Sequence, residues 1–216
     1  MAHPIYRNAK GERIPSVTTI LANLGWNKDA LMYWAWSQGT DGKDFRETSK
    51  DACDVGTIAH AYAEAQIKGE AFDVDAMPVD DEKKAKAKLC CDAWNQWRDQ
   101  TKLQIIASEE SLVSAKYDFG GTLDCCAVHT KRSILDIKTG GGVYPDYLLQ
   151  IRAYGELWME NKHEDIEEYH LIRLGKEDGS FHHHYWPAES MHEAWNAFLS
   201  ALALHRGKKI LSKMAA

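Results

Sequence analysis

An α/β (α+β) fold is predicted, with a central mixed sheet flanked by helices and a helical elaboration ahead of it. Three observations lead there. Between residues 16 and 101 apolar residues recur at helical spacing, as in Leu89, Ala93, Trp94 and Trp97. From Leu103 the pattern changes to period two over successive short runs. Beyond these, a helical segment, two strand segments and a last helical segment follow one another, the order of a sheet covered by helices.

Taken in order, residues 4–15 read as an extended arm turning at Asn8–Gly11. Pro15-Ser16 opens a short helix over 17–24, with Ser16 as N-cap. A second helix is expected over 28–37, a polar loop over 39–46, and a longer helix over 48–68. Pro78 marks the connection to a helix over 80–101. Strands are expected at 103–108, 111–116, 121–128 and 133–138. Gly140-Gly141-Gly142 then breaks the chain before a helix over 145–161. Strands at 168–174 and 181–186 follow, and Ser190 is the expected cap of a helix reaching 209. The expectation is one domain over 1–216, with a mainly helical part at 16–101 and a sheet-containing core at 102–216.

Composition narrows the class. Of the 216 residues, 44% are hydrophobic, enough for a sizeable core, yet no apolar run approaches the roughly 18 residues of a membrane span. The segment from Met1 to Arg13 lacks the apolar stretch of a secretory signal. Cys53, Cys90, Cys91, Cys125 and Cys126 contain no CxxC pair, so reduced thiols and a cytoplasmic location are expected. The net charge of −6 argues against a general nucleic-acid coat protein but suits a carboxylate-lined cation site. The basic runs Lys83–Lys88 and Arg206–Lys213 read as solvated helix faces. The tryptophans read as core by helical spacing. For Trp26, Tyr33, Trp34 and Trp36 the alternative is stacking on the bases of a single strand. His182, His183 and His184 lack a carboxylate or cysteine at ligand spacing and read as structural or surface residues.

The densest chemistry lies in Ser133-Ile134-Leu135-Asp136-Ile137-Lys138-Thr139-Gly140. On a strand, Asp136 and Lys138 share a face about 6–7 Å apart. Asp124 ends a neighbouring strand-like run behind Gly120-Gly121. Two carboxylates and an ammonium converging on one point suit a hard divalent metal and an activated water, the needs of phosphodiester cleavage. A lone DxK triplet is ordinarily an exposed ion pair. What distinguishes this one is its place in an ordered series.

That series begins with Val55-Gly56-Thr57-Ile58-Ala59-His60, a GxxxH helix motif with Glu64 one turn on. It continues with Glu109-Glu110 ahead of Val113, then Gly121-Thr122-Leu123-Asp124, then Asp136-Ile137-Lys138, and closes with the Gln150–Tyr154 pair on one helix face. The order resembles the PD-(D/E)XK nuclease superfamily, and within it the RecB-like exonuclease branch. That branch includes phage exonucleases, the mitochondrial genome-maintenance exonuclease and the CRISPR-associated nucleases that trim spacers.

The resemblance, which covers about residues 14–155, implies a restriction-endonuclease-like sheet and a Mg²⁺- or Mn²⁺-dependent deoxyribonuclease acting on DNA ends. By it, His60, Asp124, Asp136 and the Ile137 carbonyl hold the metal. Glu110 joins through water, with Glu109 on the opposite face. Lys138 positions or helps deprotonate the attacking water and steadies the phosphorane charge. Gln150 and Tyr154 hold Lys138 or a substrate phosphate, and Tyr144 is a lesser candidate for DNA contact. Gly56 permits a close approach of helix to sheet or DNA. Glu64 reads equally as a surface group. Iron–sulfur branches need cysteines beyond Cys126, so no iron–sulfur cluster is expected. No phosphate-binding helicase loop is present, so unwinding falls to another protein; recombinase, single-strand-binding or helicase partners fit a role in phage or bacterial recombination, repair or replication. The competing readings are a non-catalytic DNA-binding or recruitment protein on the same fold, an endonuclease, or an RNA nuclease.

Overall fold

The computed structural model describes residues 4–215; residues 1–3 of the polar N-terminal stretch lie outside the described residues. The arm is a small hairpin, β1 (Tyr6–Arg7) against β2 (Arg13–Ile14), closed at Asn8–Gly11 with Gly11 at φ 78°. Ser16 caps α1 (Val17–Leu21) as expected, accepting from Thr19 N at 3.0 Å. The next helices overrun the expected loop at 39–46. The first, α2, extends over Lys28–Thr40, and α3 (Phe45–Lys68) starts early because the Asp44 carboxylate accepts from Arg46 N. Gly69 ends α3 at φ 71°, and α4 (Asp81–Gln100) is capped by Asp80.

The central sheet has five strands in the order β3-β4-β5-β6-β7: Gln104–Ser114, Phe119–Val128, Arg132–Lys138, Glu168–Leu174 and Phe181–Pro187. Pairing is antiparallel except between β5 and β6, which α5 (Pro145–Lys162) connects as a crossover. The two strands expected at 103–108 and 111–116 are one. Both halves pair with β4, so the ladder carries the chain through Glu109-Glu110, and the reversal falls at 115–118, with Asp118 at φ 48°. After β7 a 3₁₀ turn (Ala188–Met191) leads into α6 (His192–Met214). Ser190 does not cap that helix; its hydroxyl donates to the Pro187 carbonyl inside the turn.

Period-two alternation sends apolar side chains to both faces of the sheet. Ile134, Leu123 and Phe119 pack under α1, α5 and α6, against Ile20, Leu157 and Phe198. Leu135, Ile137 and Ile172 pack under α3 and α4, against Ile58, Trp94 and Trp97. The tryptophan expectation therefore holds for Trp94, Trp97 and Trp158 and fails near the N-terminus. Helix α2 buries none of its residues and packs mainly on α3, and Trp26 just ahead of it, Tyr33 and Trp36 are 51%, 69% and 63% exposed. Among the described residues no helix is long and apolar enough to cross a membrane.

His183 turns from edge strand β7 toward α4. Trp97 Nε1 donates to His183 Nδ1 at 3.3 Å, and His183 Nε2 lies 2.8 Å from His170 Nδ1. An indole N–H can only donate, so His183 carries its proton on Nε2 and gives it to His170. Burial, helped by His183, pushes His170 down to about 4. Folded His170 thus stays neutral where an unfolded histidine, with a pKa of about 6.5, takes up a proton. Its contribution to stability is complete above about pH 6.5 and is lost as pH falls toward 4. Urea melts should show a shallower decline over that window for His170→Asn than for the parent; equal slopes would contradict the buried neutral pair. Phe198 is fully buried on α6, 5.0 Å from the Phe119 ring. Phe198→Ala should cost about 3–5 kcal/mol in the same melts.

Candidate active site

The β4–β5 ladder runs from Val128↔Arg132 to Cys125↔Leu135 and stops. The next facing pair in that register would be Asp124 and Asp136. Instead, the Asp124 carboxylate enters the gap, and its Oδ2 accepts from Ile137 N at 2.7 Å. Beyond the fork, β5 remains paired to β6 as far as Lys138↔Arg173. Side chains from three strands and one helix gather at this opening.

From α3 comes His60, whose Nδ1 is 3.7 Å from Asp124 Oδ2. Gly56, one turn earlier, lets the helix come this close. A Cβ there would stand 3.0 Å from the Thr139 hydroxyl, so helix and β5 meet at the residue after Lys138. From β3 comes Glu109, between the register pairs Ser108↔Cys125 and Glu110↔Leu123 and so opposite Asp124. His60, Glu109 and Asp124 each offer a ligand atom, all within 4.8 Å of one another.

Asp136 is 1% exposed, with Lys138 Nζ 2.7 Å from its Oδ2. The contact is ionic, and neither buried oxygen has a well-directed hydrogen bond. Burial pushes Asp136 up to about 6, against the pull of Lys138 and with the repulsion of Asp124. Burial likewise works to discharge Lys138, but Asp136 and Asp124 outweigh it and hold its pKa above the usual lysine value. Desolvation and then Asp124 push Glu109 up to about 7, although its outer surface is open. The donors are hard oxygens and one imidazole, two of the carboxylates are driven toward neutrality by burial and then by the charge of Asp124, and Asp136 has lone pairs without donors. Such a set suits a divalent cation of the Mg²⁺ or Mn²⁺ kind.

Several expected residues therefore converge: His60, Asp124, Asp136 and Lys138. Glu110 does not join them. Its carboxylate pairs with Lys162 of α5, while Glu109 faces the cluster. The two glutamates do lie on opposite faces, but the assignment is reversed. Leu112 packs in the core beneath α5, so Glu110, two residues back, shares the α5 side. Glu109 is reached through a left-handed backbone, φ 50°, an uncommon state for a non-glycine residue and one found at functional sites. Gln150 Nε2 donates to the Tyr154 hydroxyl at 2.9 Å, so the two hold each other. Tyr154 packs on the sheet where Gly121 leaves room; a Cβ there would lie 2.8 Å from its ring. The residue against Lys138 is Tyr147, with the ammonium 5.0 Å from the ring centroid. Sequence spacing singled out neither Glu109 nor Tyr147. The signal for Tyr147 is its place one turn before Gln150 on the same helix face. Tyr144 stacks edge-on against Tyr147 at 5.4 Å. Glu64 pairs with Lys68 beside the cluster. Lys83, Lys86 and Lys88 are paired with surface carboxylates, in keeping with a solvated face.

No family model matches this chain, and no curated protein matches it. Solved structures align at low identity. An alkaline exonuclease (LHK-Exo) from Laribacter hongkongensis is 15% identical over 60% of this chain and 73% of its own, with a TM-score of 0.36. LHK-Exo in complex with dAMP is 14% identical over 71% and 83%, also at 0.36. SSO0001 is 12% identical over 69% and 74%, at 0.31. At these scores the alignments carry no argument about the site, whose reading rests on its own geometry.

The contrast between the glutamates is testable by calorimetric titration with Mn²⁺. Glu109→Gln should weaken binding roughly ten- to hundredfold, whereas Glu110→Gln should leave it within about twofold of the parent, as expected of a group tied to Lys162.

Proposed function

We propose that this chain is a divalent-metal-dependent deoxyribonuclease that hydrolyses phosphodiester bonds at DNA ends. The observation that carries the reading is the convergence of His60, Glu109, Asp124, Asp136 and Lys138 at the β4–β5 fork. A Mg²⁺ or Mn²⁺ ion bound there supplies Lewis acidity for the phosphate and acidifies water. Asp124 and Asp136 would be its main carboxylate ligands, and His60, Glu109 and the Ile137 carbonyl would complete the set. The Asp124–Ile137 hydrogen bond keeps that carboxylate oriented on a rigid strand.

Lys138 remains a cation at neutral pH, since its pKa lies above the usual lysine value. Its role is therefore to orient the attacking water and to offset negative charge building on the phosphorane. Before a cation binds, Asp136 holds the ammonium at the fork. Tyr154, braced by Gln150, packs beside Asp136 and keeps bulk water from its buried side. The exposed rings of Trp26, Tyr33 and Trp36 offer stacking faces for unpaired bases, which favours single-stranded or resected ends. Preference for ends over internal sites follows the motif series of the RecB-like branch. A cytoplasmic setting and a recombination, repair or replication role belong to the same reading.

The test is cleavage of end-labelled linear and covalently closed circular DNA, single- and double-stranded, with Mg²⁺, Mn²⁺ or EDTA. The parent should shorten linear DNA from an end, leave circles intact and stop in EDTA. Lys138→Ala and Asp136→Ala should each lose about a hundredfold or more in rate. Variants as fast as the parent would overturn the assignment. Metal-independent DNA binding without cleavage under any ion would support a recruitment protein on this fold instead.

A further inference from the structure

We propose that Tyr147 is the positioning residue for Lys138, its ring serving as the seat on which the ammonium stays when Asp136 turns to a cation. The inference rests on the proposed nuclease site. It begins with how few partners Lys138 has among the described residues. One is Asp136, 2.7 Å away, and the other is the Tyr147 ring, with Nζ 5.0 Å from its centroid. Gln150 and Tyr154 are occupied with each other.

Asp136 is asked to do two things at once. As a ligand, it must give its oxygens to a cation, and a cation beside it repels the ammonium. Lys138 then loses its one carboxylate partner at the step where its position matters. A side chain with four rotatable carbons does not hold its place unaided. An aromatic face attracts an ammonium without carrying a charge of its own, so it neither competes for the cation nor neutralises the lysine.

The seat is rigid for local reasons. Tyr144 and Pro145 open α5, and Tyr147 N donates to Tyr144 O at 3.0 Å, so Tyr147 sits in a fixed first turn. The Tyr144 ring meets it edge-on, with an interplanar angle of 86°. Its hydroxyl lies beside Gly140, two residues after Lys138, so helix start and strand end are joined around the lysine. The ammonium lies over the ring.

The ring and the hydroxyl are separated by Tyr147→Phe and Tyr147→Leu. The first readout needs no activity. The ε-methylene resonance of Lys138, identified by its absence in Lys138→Ala, should be shifted upfield by the ring in the parent and in Tyr147→Phe, with and without Mg²⁺. In Tyr147→Leu it should return to the position of an exposed lysine. The second readout is steady-state cleavage. Tyr147→Leu should lower kcat about 3- to 30-fold with KM unchanged, and Tyr147→Phe should stay within about twofold of the parent. If Tyr147→Leu loses its cooperative melt, Tyr147→Met takes its place. A parent resonance without the ring shift, or Tyr147→Phe falling as far as Tyr147→Leu, would overturn the proposal. A parent without nuclease activity would instead overturn the nuclease reading, while the resonance still decides whether Lys138 is seated on the ring.

Discussion

The fork between β4 and β5 is the constraint on which the site depends. Two adjacent antiparallel strands normally satisfy each other's backbone groups along their whole overlap. Here they separate after Cys125↔Leu135, and a side chain does the ladder's work: the Asp124 carboxylate accepts the Ile137 N–H. Were the ladder to continue, Asp124 and Asp136 would sit directly opposite, an arrangement like charges disfavour. Opening the strands lets the two carboxylates converge on a common space from different directions. It also commits one oxygen of Asp124 to the backbone, which orients the rest of the group.

Electrostatic crowding is the consequence. Glu109, Asp124 and His60 cluster together, and the Asp136–Lys138 pair lies close enough to Asp124 and His60 to feel their charge. Burial, with added repulsion from Asp124, raises Asp136 to about 6 and Glu109 to about 7. A buried ion pair such as Asp136–Lys138 contributes little net stability once desolvation is counted. On the proposed reading the pair is preparation for a charged ligand, since added positive charge would relieve the same crowding. The left-handed backbone at Glu109 belongs to the same account: local strain of order 1–3 kcal/mol is carried by an edge strand paired to β4 both before and after that residue.

The helices that supply the remaining groups are placed by two close approaches and two separate cores. Gly56 brings α3 against Thr139, and Gly121 admits Tyr154 of α5 onto β4. Each helix is then locked by its own apolar layer, Ile58 with Trp94 and Trp97 on one face, Ile151 and Leu157 with Phe119 on the other. His60 and the Tyr147–Gln150–Tyr154 row therefore reach the fork from opposite faces of one sheet. Helix α2 lies outside both layers and keeps its aromatic rings in solvent.

Local chemistry determined much of this. Alternation and helical spacing are properties of a few consecutive residues, so the kinds and order of the elements were legible. So were the β6 bounds, the Ser16 cap, and the shared face of Asp136 and Lys138. The choice between Glu109 and Glu110 was not. Period two says that neighbours oppose each other, but which face meets α3 and which meets α5 is settled only by the docking of both helices on the sheet. The merging of two expected strands into β3 has the same origin, because a shared partner strand can carry a chain through a poor strand sequence. Tyr147 could be placed on a helix face from spacing, yet its contact with Lys138 depends on how that helix leaves the glycine loop. Thus the sequence by itself determined the elements and the chemical groups, which depend on neighbours along the chain. Tertiary structure decided which groups meet, because that depends on where separate elements are held in space.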